Sequence, residues 1–172
     1  PMTSNWTSSR VALRGSRMAL VSMVALFFSF IALGNMTDYD SNFAFVAHVL
    51  SMDDTFQSPT LMHRAITTPL LHHAAYVMII AWQLATALLC WWGLVRLWLA
   101  RSACATQFDA AKGLAIVGLT AGVLLYGVGF LAVGGEWFAM WQSKNWNGQH
   151  SAHIFAMLTG LALLHVSAAE RD

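Results

Sequence analysis

The sequence predicts an all-α membrane protein, a four-transmembrane-helix bundle whose two termini both face the cytoplasm. Of its 172 residues, 58% are hydrophobic and only 10% are charged, whereas soluble domains carry about 25% charged residues. A bilayer core requires about 20 mainly apolar residues in a helix, and four segments of the chain meet this requirement. The length fits a single domain. No basic patch with interleaved aromatic residues indicates nucleic-acid binding.

The predicted spans cover residues 18–36, 69–100, 112–137 and 148–168. The first is longer than the apolar run of a signal peptide, so an uncleaved span is favoured over a cleaved leader. The second has the clearest start, with Thr68 as N-cap and Pro69 at the first helical position. The third contains seven glycines, including Gly118 and Gly122. Their spacing favours close helix packing inside the bundle, and contact with the helix of a partner is the alternative.

The basic residues predict the orientation. One side of the membrane receives seven of them: Arg10, Arg14, Arg17, Arg96, Arg101, Lys112 and Arg171. The other side receives Arg64 and Lys144. Because cytoplasmic loops carry the excess of Lys and Arg, both termini are expected in the cytoplasm of a bacterium, with the protein in its inner membrane. Trp137, Trp141 and Trp146 are expected at the outer interface, where tryptophan rings anchor spans in the lipid.

The connection between the first two spans, residues 37–68, is predicted to lie outside the cytoplasm and to contain short helices. Asp40 or Ser41 could cap one helix through "NFAFVAHVLSM". Ser58 and Pro59 could start a second through "PTLMHRAIT", which would end before Pro69. Such short apolar helices are expected to lie in the interface plane or to cap the bundle.

The best candidates for chemistry are four histidines and a carboxylate at the outer ends of the spans. His150 and His153 share one face of a helical turn, while Glu136 and the pair His72 and His73 are expected at the same depth. Imidazole and carboxylate groups suit zinc, iron or copper. However, neighbouring histidines point in different directions, and no HExxH motif is present. Hydrogen bonding of these side chains to the loop backbone is favoured, so we predict no metal, no catalytic residue and no cofactor. The alternative is that these residues bind haem b, a quinone or a metal.

Other polar residues are predicted to have structural roles. Arg64 lies among apolar loop residues, and a salt bridge to an acidic residue such as Glu136 is favoured over anion binding. For Glu136 the expected partners are Arg64, His72 and His73. Gln83 and Thr86 lie in the middle of the second span, where hydrogen bonds between helices are the usual role of such side chains.

A family resemblance rests on three stretches: "GNMTDYDSNFAFVAHVLSMD", "RAITTPLLHHAAYVMIIAWQLATALLCWWG" and "VGGEWFAMWQSKNWNGQ". Together they resemble a bacterial family of predicted small integral membrane proteins of unknown function, over residues 14–168. The resemblance implies a four-span inner-membrane protein, mostly proteobacterial, and supplies no activity. Its signature positions include Arg64, His72, His73 and Glu136, but not His150 or His153, which weakens the metal hypothesis.

The sequence therefore favours a non-catalytic role in the lipid bilayer. We expect a small accessory subunit that stabilises a larger integral membrane protein complex, in respiratory or photosynthetic electron transfer. The reasons are the small size, the lack of a catalytic constellation, the glycine-rich third span and the apolar outer loop. The alternative is a small redox or ligand-binding protein that uses the histidine and glutamate residues named above.

Overall fold

Four long helices dominate the computed structural model of the protein, which describes residues 9–170. They are α1 (Ser9–Thr37), α3 (Pro69–Leu99), α5 (Gly113–Leu124) with its π-helical continuation (Leu125–Trp137, the π segment), and α6 (Gln149–Ser167). Two short helices, α2 (Tyr39–Ser51) and α4 (Ala105–Ala111), and two 3-10 turns (Met62–Arg64 and Met140–Gln142) join them. Each long helix is long and apolar enough to cross a membrane. The prediction of an all-helical protein with four membrane-capable helices is thus confirmed.

The helix starts follow local sequence signals in one case and long-range contacts in another. α3 begins at Pro69, directly after the extended Thr68, as its sequence signal predicts. α1 begins at Ser9, well before the predicted start of the span at residue 18. The additional turns carry Arg14 and Arg17, which are both buried, so contacts with distant parts of the chain keep this charged stretch helical.

The long helices form a ring in which α1 contacts α3, α3 contacts α5, α5 contacts α6 and α6 contacts α1. Small residues allow the closest approaches inside it. A Cβ atom on Gly118 would lie 2.8 Å from Cys90 Sγ, and one on Gly122 would lie 2.9 Å from the Phe28 ring. Both glycines therefore serve packing within the bundle, the role the sequence favours, because neither has room for a side chain.

The third span is not one regular helix. It changes after Leu124 from α-helical to π-helical geometry, and the π segment ends with a hydrogen bond from the Phe138 amide to the Val133 carbonyl, 3.0 Å long and five residues back. π-helical turns are rare, and they often occur at functional sites. The sequence did not predict this change, because an apolar, glycine-rich segment has the same composition in either geometry.

The connection between α1 and α3 contains one of its two predicted helices. α2 forms over the predicted stretch, and it packs against α3 and α1. The second predicted helix, from Ser58 and Pro59, is wrong, because only the 3-10 turn Met62–Arg64 is helical there. The Ile66 amide donates to the Leu50 carbonyl at 2.8 Å, which draws the chain back to α2 and leads it extended into α3.

Candidate functional site

The two adjacent histidines at the start of α3 are bound to different parts of the structure. His72 is buried, and its Nε2 atom lies 2.7 Å from the Ile66 carbonyl oxygen. His73 is exposed; its Nδ1 atom lies 2.9 Å from the Tyr39 hydroxyl, and its ring stacks on Phe43 with centroids 4.1 Å apart. Each imidazole therefore fastens the connection between α1 and α3 to the first turn of α3.

The remaining metal candidates do not join these histidines. His150 and His153 lie on the surface of the first turn of α6, and His153 Nδ1 is 2.8 Å from the Gln149 carbonyl oxygen. Glu136 is exposed and has no hydrogen-bond or ion-pair partner among residues 9–170, so its predicted pairing with Arg64, His72 or His73 is wrong. Within the described chain, no three His, Cys, Asp or Glu residues are grouped to hold a metal ion.

Arg64 contacts an aromatic residue, and its predicted salt bridge to a carboxylate is wrong. Its Nη1 atom donates to the Trp137 carbonyl at 3.3 Å, and its guanidinium carbon lies 4.6 Å from the centroid of the Trp137 ring. A planar guanidinium combines both contacts, since it can stack on an aromatic face while its edge donates hydrogen bonds. Arg64 thus joins the α1–α3 connection to the end of the π segment.

The same two connections are joined a second time by Asp54. Its Oδ2 atom accepts hydrogen bonds from the Ser143 hydroxyl at 2.5 Å and from the Asn145 amide at 3.1 Å. The Ser143 hydroxyl and the Asn145 amide hold the pKa of the Asp54 carboxyl below its ordinary value of 3.8, because they donate to the ionised form. Together the connections α1–α3 and π segment–α6 form one unit, which we call the loop cap (residues 38–68 and 138–148).

Aromatic side chains cover the outside of the loop cap. Trp146 packs inward, with its ring 4.3 Å from that of His48, and His48 Nδ1 lies 2.8 Å from Asp53 Oδ2. Trp137 and Trp141 stay about half exposed, and Phe56 is 69% exposed with its ring 5.8 Å from that of Trp141. We call three exposed rings the aromatic surface of the loop cap: Phe56 and Trp141 of the cap, and Trp137 at the adjoining end of the π segment, which stacks on Arg64 of the cap. Phe56 was not among the residues singled out from the sequence.

A cavity of about 190 Å³ lies beneath α2, among the long helices. Its polar residues include Asn35 of α1, Gln83 of α3 and Tyr126 of the π segment. Asn35 Nδ2 donates to Gln83 Oε1 at 2.8 Å, so the predicted interhelical hydrogen bond of Gln83 is confirmed. The same prediction for Thr86 is wrong, because its hydroxyl is buried without a hydrogen-bond partner. No local pattern in the sequence indicates that Asn35 and Tyr126 line one cavity with Gln83.

A buried ionic cluster occupies the opposite end of the bundle. Arg14 Nη2 lies 2.5 Å from Glu170 Oε2, and both side chains are less than a tenth exposed. Lys112 Nζ lies 2.6 Å from Asp109 Oδ1 and donates to the Ala168 carbonyl at 2.7 Å. The hydrogen bonds from Arg14 hold the pKa of Glu170 below its ordinary value of 4.5. The cluster fastens α1 and α4 to the residues that follow α6.

Four helices long and apolar enough to cross a membrane are typical of an integral membrane protein. Residues 13–169 match the family DUF2165, described as predicted small integral membrane proteins, and the chain belongs to this family. The resemblance noted in the sequence is thereby confirmed. No curated protein and no solved structure matches the chain.

Proposed function

We propose that the protein is a non-catalytic accessory subunit that stabilises a larger electron-transfer complex, respiratory or photosynthetic, in the bacterial inner membrane. The observation that carries the proposal is that the polar side chains in and beside the loop cap are engaged in contacts that hold it together. His48, Asp54 and Arg64 of the cap each contact another part of the cap or the end of the π segment, and His72 and His73 of α3 contact the cap. Groups that fasten two loops together are not free to act on a substrate, so the cap is built to present a fixed surface.

The aromatic surface of the loop cap is the proposed contact with the larger complex. Aromatic residues are enriched in the central parts of protein interfaces, and Phe56 is positioned by its own backbone, whose amide donates to Gln142 Oε1 at 3.0 Å. A ring that is 69% exposed on a fastened loop offers apolar area with little loss of conformational entropy on binding.

Purification from native membranes in a mild detergent tests this proposal. We expect a partner in stoichiometric amount, with the absorption of haem or another redox group in the partner. Replacing Phe56 by Ala should release the partner. Phe30→Ala is the matched control, because Phe30 is 67% exposed on the lipid-facing side of α1. A protein that purifies alone would contradict the subunit role, and release by Phe30→Ala but not by Phe56→Ala would contradict the proposed contact surface.

The orientation in the membrane is part of the proposal. The end of the bundle that carries residues 9 and 170 also carries Arg10, Arg14, Arg17, Arg96, Arg101 and Lys112, while Arg171 lies outside the described residues. The excess of basic residues supports a cytoplasmic position for this end. Cys104 lies there and is exposed, whereas Cys90 is buried. A membrane-impermeant maleimide should therefore label inverted vesicles and not intact spheroplasts; Cys104→Ser is the control, and labelling of spheroplasts would refute the orientation.

The alternative from the sequence is a redox or ligand-binding protein that holds haem b, a quinone or a metal through His72, His73, Glu136, His150 and His153. No contact among these residues favours it. Absorption spectra and metal analysis of the purified chain separate the two proposals, because a bound group that is lost in His72→Ala with the helices intact would support the alternative.

A further inference from the structure

The cavity beneath α2 contains hydrogen-bond donors that nothing in the described chain satisfies. Gln83 is 2% exposed, and its carbonyl oxygen is occupied by Asn35. Its amide group, Nε2, has no acceptor among residues 9–170, and the same holds for the Tyr126 hydroxyl, although Tyr126 is only 4% exposed. Neither atom is fully enclosed by protein, so both are open to the cavity, and donors that face a cavity among apolar, membrane-embedded helices are costly when they lack a partner. Two donors in one cavity therefore favour an occupant that accepts hydrogen bonds.

The walls of the cavity define the shape of that occupant. Aromatic rings form much of them: Phe45 of α2, Tyr126 and Phe130 of the π segment, and Phe155 of α6. The Tyr126 ring lies 5.3 Å from Phe130 and 5.2 Å from Phe155, and Phe130 lies 6.3 Å from Phe45. Such walls offer ring faces and edges, which pack well against another planar ring.

The size and position of the cavity restrict the occupant further. Cavities of about 150 Å³ hold benzene, so this half-open cavity of 190 Å³ accommodates a single ring whose substituents extend into the opening. The π segment supplies two of the lining rings, and π-helical turns are frequent at functional sites. The cavity also lies among apolar helices, which suits a lipophilic molecule.

We propose that the cavity binds a lipophilic single-ring molecule with a ring carbonyl group, of the quinone class, and that Gln83 Nε2 and the Tyr126 hydroxyl donate to its carbonyl oxygens. This site is distinct from the histidines of the loop cap and does not depend on the subunit role. The ring is held between Phe130 and Phe155, and the hydrogen bonds select a carbonyl compound over a hydrocarbon of the same shape.

Duroquinone and durene test this site in the purified full-length chain in detergent. Both are tetramethylated rings and differ in the two carbonyl oxygens, and duroquinone has no free ring position at which a cysteine thiol could add. Thermal unfolding followed by circular dichroism reports binding, because a ligand of the folded state raises the midpoint. We expect duroquinone to bind about a hundredfold more tightly than durene, because each of the two buried hydrogen bonds contributes about tenfold. Equal binding of both compounds, or no binding of duroquinone, would overturn the proposal.

A pair of tyrosine variants tests the donors. Tyr126→Phe removes a hydroxyl that has no partner in the described chain, so the protein should keep its stability and lose about tenfold in duroquinone affinity. Tyr76→Phe is the control: Tyr76 also lines the cavity, but its hydroxyl donates to the Asn35 carbonyl at 3.2 Å. That variant should lose stability and retain affinity for duroquinone.

Infrared spectroscopy distinguishes hydrogen bonding from simple packing. The carbonyl stretch of bound duroquinone should lie at lower frequency than that of duroquinone in empty micelles, and the shift should shrink in Tyr126→Phe. An unshifted stretch, or the same affinity in Tyr126→Phe as in the natural protein, would overturn the assigned donors. None of these results depends on a copurifying partner, so failure of the subunit role and failure of this site are separate outcomes.

Discussion

Gly93→Ala should separate α3 from α5 and strongly destabilise the protein. A Cβ atom at this position would lie 2.5 Å from the Ala115 amide nitrogen and 2.6 Å from Ala115 Cα. Restoring ordinary van der Waals contact, at 3.4 Å or more, requires the two backbones to move apart by about 1 Å. Because the obstructing atoms belong to the backbone, no rotamer change can relieve the clash. We expect a loss near the upper end of the overpacking range, about 3 kcal/mol.

Gly160→Ala is the matched control for this variant. Gly160 lies in α6, and a Cβ atom there would meet nothing within 4 Å. Its replacement should leave stability unchanged or raise it by up to about 1 kcal/mol, since alanine is the better helix former. Unfolding of both purified variants by increasing SDS in mixed micelles, followed by circular dichroism, measures the difference. Equal stability of Gly93→Ala and Gly160→Ala would refute the close approach of α3 and α5.

Three further predictions concern the polar contacts at the two ends of the bundle. Glu170→Gln should cost about 3 kcal/mol of stability because it leaves Arg14 buried without its counter-charge. Since the folded pKa of Glu170 is depressed, its contribution to stability is present above pH 4.5 and is lost as the pH falls through the folded pKa. Unfolding curves of Glu170→Gln at different pH values should lack this decline. The pKa of Asp54 is depressed as well, so its hold on the loop cap should weaken below pH 3.8. Asp54→Asn should speed hydrogen exchange of the Asn145 amide at neutral pH, and the protection of this amide should then no longer decrease below that pH. Arg64→Lys should loosen the loop cap by about 1 kcal/mol, because lysine keeps the charge but cannot stack on the indole in the same way; unchanged protease sensitivity of residues 56–66 would contradict this.

The parts of the fold that the sequence predicts are those that depend on local composition. Apolar length identifies the four spans, and Thr68 with Pro69 marks the start of α3 because both act on the first helical turn itself. Arg14 is different: its partner Glu170 lies 156 residues away, so no local pattern shows that α1 continues through a charged stretch. The π segment escapes prediction for a further reason, since hydrophobicity does not distinguish a π-helical turn from an α-helical one.

The candidate sites were predictable only in residue type. The side-chain amide of Gln83 lies in an apolar span, and this is enough to predict an interhelical hydrogen bond. The identity of its partner depends on how α1 and α3 are aligned along their length. The histidines found partners close to them in the chain or on the neighbouring α2, as His72 shows with the Ile66 carbonyl six residues before it. Glu136 was expected to be paired and is exposed, because pairing depends on the geometry of the third span, which its composition does not show.

The loop cap and the cavity share α2, so they are mechanically connected. Phe45 of α2 forms part of the cavity wall, and its ring also packs against Trp146 of the cap at 6.5 Å. Gly148 makes room for that ring, because a Cβ atom there would lie 2.9 Å from it. Any change that shifts α2 must therefore change the cavity. Such a shift could follow from a partner that binds the cap or from the loss of the Asp54 hydrogen bonds. Tyr126 lies on the opposite wall, in the π segment, and its hydroxyl has no part in holding the cap. A loss of ligand affinity that accompanies loosening of the cap thus reports on the position of α2, whereas a loss in Tyr126→Phe with the cap intact reports on the hydrogen bond alone.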